Sequence, residues 1–187
     1  MGDLTSLCVY CGSSAGDDPK YLDAAVELGR ACAAQNVRLV YGGGRLGLMG
    51  ASAGAARDAG GRVYGVIPDF LVEREGILEN VDHDIVETMH ERKLKMFEAA
   101  DAFCILPGGI GTLEELVEIL SWARLDLHRK SIVIVDLDGY WSPFVALIEH
   151  MVGAKFAHPD LLRDFCVVES AADVIPTARD RMLRARV

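Results

Sequence analysis

Pro107-Gly108-Gly109-Ile110-Gly111-Thr112-Leu113-Glu114-Glu115 follows the apolar run Ala102-Phe103-Cys104-Ile105-Leu106 and precedes Leu116-Val117-Glu118-Ile119-Leu120-Ser121-Trp122. The first run is short enough for a buried strand, and the apolar residues of the second recur at helical spacing. The stretch therefore reads as strand, glycine loop, helix. Three glycines in four positions let the backbone approach a ligand with no Cβ in the way. The N–H groups of the first helical turn face that loop without intrahelical partners, and the helix dipole adds partial positive charge. An anion, above all a phosphate, suits this place. Thr112 and Glu115 also fit a capping box, in which the two side chains only tie off the helix start. That reading leaves three glycines behind a proline unexplained. A carboxylate one turn from a phosphate repels it unless it faces another part of the ligand. Glu115 is thus a candidate for chemistry at the far side of a phosphorylated substrate.

Just upstream, Thr88 is the expected cap of a helix over residues 89–100, which carries Arg92 and Lys93 in its first turn or two. The dipole favours anions there, so two cations are out of place. Either they belong to a solvated charged face or they meet an anionic partner, and their position right before the strand and its glycine loop favours function.

Towards the N-terminus, Leu7-Cys8-Val9-Tyr10 reads as a first buried strand and Cys11-Gly12-Ser13-Ser14 as its exit loop. Asp18-Pro19 opens a helix, Asn36 ends it, and residues 37–41 form strand two. Gly42, Gly44 and Gly47 then fit G-x-G-x-x-G between a strand and a helix. No clean acidic residue follows the next strand, so the loop reads as a second phosphate- or ribose-facing loop, or equally as a tight turn with glycines for packing. The following helix is rich in Ala and Gly and can pack close to the sheet. Residues 63–67 are strand three, and 68–80 a mobile flap or a solvated connection. Strands near 84–87, 132–135 and 165–168 follow, with helices at 141–151 and from Ser170 to a basic end at 179–186. Strands alternate with helices about seven times. The expected fold is a Rossmann-like, doubly wound α/β sheet of about seven parallel strands with helices on both faces, in one domain over residues 1–187. Ligands of such sheets bind at the carboxyl ends of the strands, where the loops at Cys11, Gly42, Pro68 and Pro107 all lie.

Composition bounds the function. The chain has 187 residues, 51% hydrophobic and 25% charged, with a net charge of −9. Nonspecific nucleic-acid binding needs a basic surface and is disfavoured. Screening acts over roughly 8 Å at physiological salt, so a local cluster of N–H groups still captures a phosphate. No apolar run approaches a membrane span, and residues 1–6 show no secretion signal, so the expected place is the cytoplasm. The five cysteines argue against a disulfide framework. Cys8-x-x-Cys11 has redox spacing but sits in a strand, which favours core packing. No Cys/His group has metal-like spacing, and no Ser-His-Asp triad is recognisable.

Taken together, Cys11-Gly12-Ser13-Ser14, Tyr41 through Gly50, Gly65-Val66-Ile67-Pro68, Met89-His90-Glu91-Arg92-Lys93 and Pro107-Gly-Gly-x-Gly-Thr-x-x-Glu115 occur in an order that resembles the LOG ("Lonely Guy") family of cytokinin riboside 5′-monophosphate phosphoribohydrolases. The similarity runs from about residue 6 to about residue 150. It implies hydrolysis of an N6-substituted adenosine 5′-monophosphate to free base and ribose 5-phosphate, with no cofactor and no metal, by a homodimer with its pocket near the interface. It implies Arg92 and Glu115 as the catalytic pair. It implies Lys93, Gly108, Gly109, Gly111 and Thr112 as nucleotide-holding residues and Glu75 as a substrate-binding glutamate. Gly12, Ser13, Gly43, Gly44 and Met89, in the matching segments, are further substrate-binding candidates. Relatives of this kind are often labelled lysine decarboxylases, but no lysine here sits in a pyridoxal-type setting. Ile110 stands where the family often has an aromatic, and Arg124 and Asp126 where it often has Gln and Gly. The alternatives are a broader nucleotide 5′-monophosphate nucleosidase and a non-catalytic molybdenum-cofactor or nucleotide carrier.

Overall fold

A computed structural model describes residues 3–184. Seven strands form one wholly parallel sheet: β1 (Ser6–Tyr10), β2 (Arg38–Tyr41), β3 (Val63–Pro68), β4 (Asp82–Val86), β5 (Ala102–Ile105), β6 (Ser131–Val135) and β7 (Cys166–Val168), in the order β4-β3-β2-β1-β5-β6-β7. The connecting helices are α1 (Pro19–Ala34), α2 (Gly47–Asp58), α3 (Asp69–Glu75), α4 (Met89–Glu98), α5 (Ile110–Arg124) and α6 (Ser142–Gly153), and α7 (Val174–Arg184) follows the last strand. The expected doubly wound sheet is present. Arg186, placed by the sequence reading in a basic helix end, lies outside the described residues.

Parallel strands covered on both faces are apolar throughout, and their side chains alternate between two cores. Leu7 and Val9 of β1, with Ala102 and Cys104 of β5, enter the core under α1, α2 and α7. Cys8 and Tyr10, with Phe103 and Ile105, enter the core under α4, α5 and α6. Asp18 caps α1 through a 3.0 Å bond from Lys20 N–H, with Pro19 in its first turn, as its sequence dictates. The small residues of α2 enter the sheet core at Ala53 and Ala56 and also allow a close approach to α1: a Cβ on Gly29 would collide with the Ser52 carbonyl.

Cys8 and Cys11 are buried, and burial pushes both thiols well above their usual range. The core reading of that pair stands.

Strand order places the chain's direction change between β1 and β5, where neighbouring exit loops part and leave a crevice. The crevice lies between Cys11-Gly12-Ser13 and Leu106–Gly109.

Candidate active site

The two crevice loops are joined by Gly12 N–H, which donates to the Pro107 carbonyl at 3.0 Å. Gly108 lies against Gly12 and over the Thr112 hydroxyl so closely that any side chain there would strike both. The capping box does not form. Gly109 is the N-cap of α5, no side chain caps that end, and Thr112 sits in the first turn, buried beneath Gly108. Among the described residues, the N–H groups of Gly109, Ile110, Gly111 and Thr112 have no acceptor. These amides at the start of a fifteen-residue helix offer an anion a ready set of donors.

Glu115, one turn on, is 7% exposed and does not serve its own helix terminus. Its Oε1 accepts from Arg92 Nη1 at 2.9 Å, while Arg92 Nε donates to the Val66 carbonyl at 3.2 Å. Oε2 has no protein partner among the described residues. The Arg92 guanidinium also lies on Gly42, where a Cβ would overlap it. Gly42 is thus a glycine because an arginine occupies its side-chain space. Burial raises the Glu115 carboxyl to about 7, against the opposing pull of Arg92. Arg92 therefore does not by itself hold the acid fully ionised at neutral pH.

Arg92 and Lys93 are both buried, so the solvated-face reading of α4 is overturned. Their anionic partners are carboxylates of α5. Lys93 Nζ donates to Glu114 at 2.7 Å and Glu118 at 2.8 Å, and it does not border the site cavity.

That cavity holds about 320 Å³, within the size range of small-ligand sites. It brings together Gly12, Ser13, Glu75, Met89, Arg92, Gly109, Gly111, Thr112 and Glu115, all named from sequence. Gly108 supports it from behind. Gly43 and Gly44 do not line it: Gly43 packs on Ile67, and Gly44 faces the Glu75 carboxylate. In the loop after β2, two amides of the α2 start are already taken, because Leu48 and Met49 N–H both donate to the Gly12 carbonyl, at 3.0 and 3.4 Å. Gly47, at φ +56° against the Ser13 backbone, makes that contact possible. Close packing accounts for these glycines.

Sequence reasoning missed Cys11, Met49, Leu71, Ile110 and Glu114 as cavity walls. Leu71 and Glu75 arrive on α3, inside the segment read as a flap or connection. Arg45 N–H ties that segment to the sheet edge through the Glu75 and Gly76 carbonyls, both at 3.3 Å. Three carboxylates and one guanidinium thus surround the cavity, with amides at one end. A ligand that is anionic at one end and develops positive charge at the other matches this layout. No group of His, Cys, Asp and Glu among the described residues could hold a metal ion, and no lysine lines the cavity.

A family model described as possible lysine decarboxylase matches residues 49–178. The chain is 45% identical over 179 residues to the cytokinin riboside 5′-monophosphate phosphoribohydrolase LOG of Oryza sativa subsp. japonica, covering 95% of this chain and 71% of that one. It is 41% identical over 179 residues to the phosphoribohydrolase LOG1 of Arabidopsis thaliana, covering 95% and 84%. Among solved structures it is similar to the molybdenum cofactor carrier protein of Chlamydomonas reinhardtii, with a TM-score of 0.70 at 18% identity over 96% of this chain and 99% of that one. At that identity the likeness is one of fold.

Proposed function

The chain belongs to the family of the cytokinin riboside 5′-monophosphate phosphoribohydrolases, and on that premise we propose that it hydrolyses the N-glycosidic bond of N6-substituted adenosine 5′-monophosphates to free base and ribose 5-phosphate. The observation that carries this reading is the buried Arg92–Glu115 pair one helical turn from the unpaired amides of α5.

The amides receive the 5′-phosphate, and the ribose then spans towards Glu115. Breaking the C–N bond builds positive charge on the sugar, as in glycoside hydrolysis. A carboxylate about 4 Å from that charge at an effective dielectric near 20 contributes roughly 4 kcal/mol, about a thousandfold in rate. Glu115 supplies it, and Oε2 is the oxygen free to face the sugar or orient water. Arg92, fixed by Val66 and Gly42, holds Oε1 and so aims Oε2. The phosphate grip on a non-reacting part of the substrate orients the bond to be broken. Glu75, Leu71 and Met89 remain to receive the base. The carriers share the sheet, but their likeness reaches only the fold, and a carrier has no use for a carboxylate beside a ribose.

The protein is further proposed to act as a homodimer, supported by the exposed apolar face that α5 and α6 share beside the cavity.

Glu115→Gln should reduce adenine release from AMP and isopentenyladenine release from its nucleotide by about a thousandfold, while ribose 5-phosphate still binds. Chromatography of the incubated nucleotides reads the first effect and calorimetry the second. Full turnover in the variant would remove the mechanism.

A further inference from the structure

Tyr140 has no place in the chemistry above, yet it makes a short bond to the centre of the loop. Its hydroxyl donates to the Gly108 carbonyl at 2.7 Å although the side chain is 39% exposed. The turn that delivers it is built for the purpose. Asp138 and Gly139 adopt left-handed backbone at φ +50° and +80°. Asp136 braces the exit by accepting from Trp141 N–H and from the Ser142 hydroxyl. The Tyr140 ring packs edge-on against Tyr21 and Trp141, at centroid distances of 5.7 and 5.3 Å.

A trans peptide fixes the carbonyl of one residue opposite the N–H of the next. Anchoring the Gly108 oxygen therefore sets the direction of the Gly109 N–H, which must point away from Tyr140. Gly109, with Gly111 and Thr112, borders the cavity that contains Glu115, whereas Tyr140 does not. Glycines on both sides leave this peptide free to rotate unless something holds it, and the Thr112 hydroxyl below does not cap it.

We propose that Tyr140 is the positioning residue of the phosphate cradle: it holds the Gly108–Gly109 peptide in the orientation that aims its N–H, with the first amides of α5, at the substrate's phosphate. This rests on the function proposed above. Tyr140 touches no reacting atom, so its contribution lies in the grip on phosphate and not in the carboxylate's work.

The test is Tyr140→Phe, which keeps the ring and its packing and removes the hydroxyl. Loss of one bond to the loop should lower kcat/KM for AMP about tenfold, carried by KM. Calorimetry should show ribose 5-phosphate binding weakened by the same factor. Cleavage of adenosine, which has no phosphate, should change by no more than about twofold. A merely structural role would lower adenosine and AMP cleavage together, and that result overturns the proposal. So does unchanged ribose 5-phosphate affinity, or a wild-type protein that binds no ribose 5-phosphate. If the wild type binds ribose 5-phosphate but releases no base from AMP, the nucleosidase reading falls, and weaker binding by the variant still upholds the role of Tyr140.

Discussion

Glu115 loses its hydration where it enters the cavity wall, and burial pushes its carboxyl up to about 7 although Arg92 lies 2.9 Å away. A group raised in this way is protonated over a wider range than an ordinary glutamate. Its charge appears as pH rises through about 7 and is lost as pH falls through the same value. The proposed mechanism uses the charged form. The rate should therefore climb about tenfold per unit below the inflection and level off above it. The substrate's phosphate titrates near 6 and could mimic this limb. Adenosine removes the ambiguity, because its profile contains no phosphate. An inflection near 7 for adenosine in steady-state rates assigns it to Glu115. A flat adenosine profile between pH 5 and 8 would mean that the charge on this carboxylate does not govern the chemistry. The sequence showed the acid and the arginine but could not show which effect wins, since the depth of burial depends on walls supplied by β1, α2 and α3.

At the scale of elements, α4 and α5 are joined through two cations, Arg92 pairing with Glu115 and Lys93 with both Glu114 and Glu118. The inner pair faces the cavity and the outer one holds the helices together. Lys93 is 8% exposed, whereas Glu114 is 51% and Glu118 24% exposed, so water screens much of the attraction. Lys93→Met keeps the buried stem and should cost about 1 kcal/mol, or about 3 °C in Tm for a chain of this size. KM for AMP should stay within about twofold. Thermal unfolding and steady-state kinetics check both. An unchanged Tm with a KM raised more than about tenfold would return Lys93 to the nucleotide. This part of the site was half legible. Two cations at a helix start announced an anionic partner, but only tertiary packing decided that carboxylates of α5 fill that role. The central strands and long helices were legible from their apolar runs and periodicity, with ends within a few residues. The exception is α3, which buries no residue and so leaves no apolar stripe to read. Its contribution, Leu71 and Glu75, follows from the Arg45 tether and not from any local pattern. The capping-box alternative could not be settled from the sequence, because Thr-x-x-Glu has the same spacing whether or not it caps.

On the whole molecule, charge and apolar surface are unevenly placed. A chain with a net charge of −9 nevertheless exposes Ile110 and Val117 on α5, Leu125 at the C-cap of that helix, and Leu147 and Met151 on α6. These side chains edge a groove of about 870 Å³ between the two helices, floored by Trp141 and Phe144. Scattered apolar residues need no explanation, but a contiguous patch marks an interaction surface. A second copy is the occupant that the proposed dimer supplies, because two helices of one chain can seat against the same two helices of another about a two-fold axis. Ile110 belongs both to this face and to the wall of the site cavity, so pairing would cover the cavity wall at that residue. A stable interface buries roughly 800 Å² per partner and is broken by a charge placed near its centre. Leu147 is half-exposed on α6, and Leu147→Glu should leave the fold intact by circular dichroism. Sedimentation equilibrium should give twice the 20.3 kDa chain mass for the wild type and the chain mass for the variant. Base release per chain should fall with the loss of pairing, because Ile110 and the adjoining amides of α5 then stand open to water. A variant that remains dimeric would move the interface to another face, and a monomeric wild type with full activity would dissolve the link between pairing and the site.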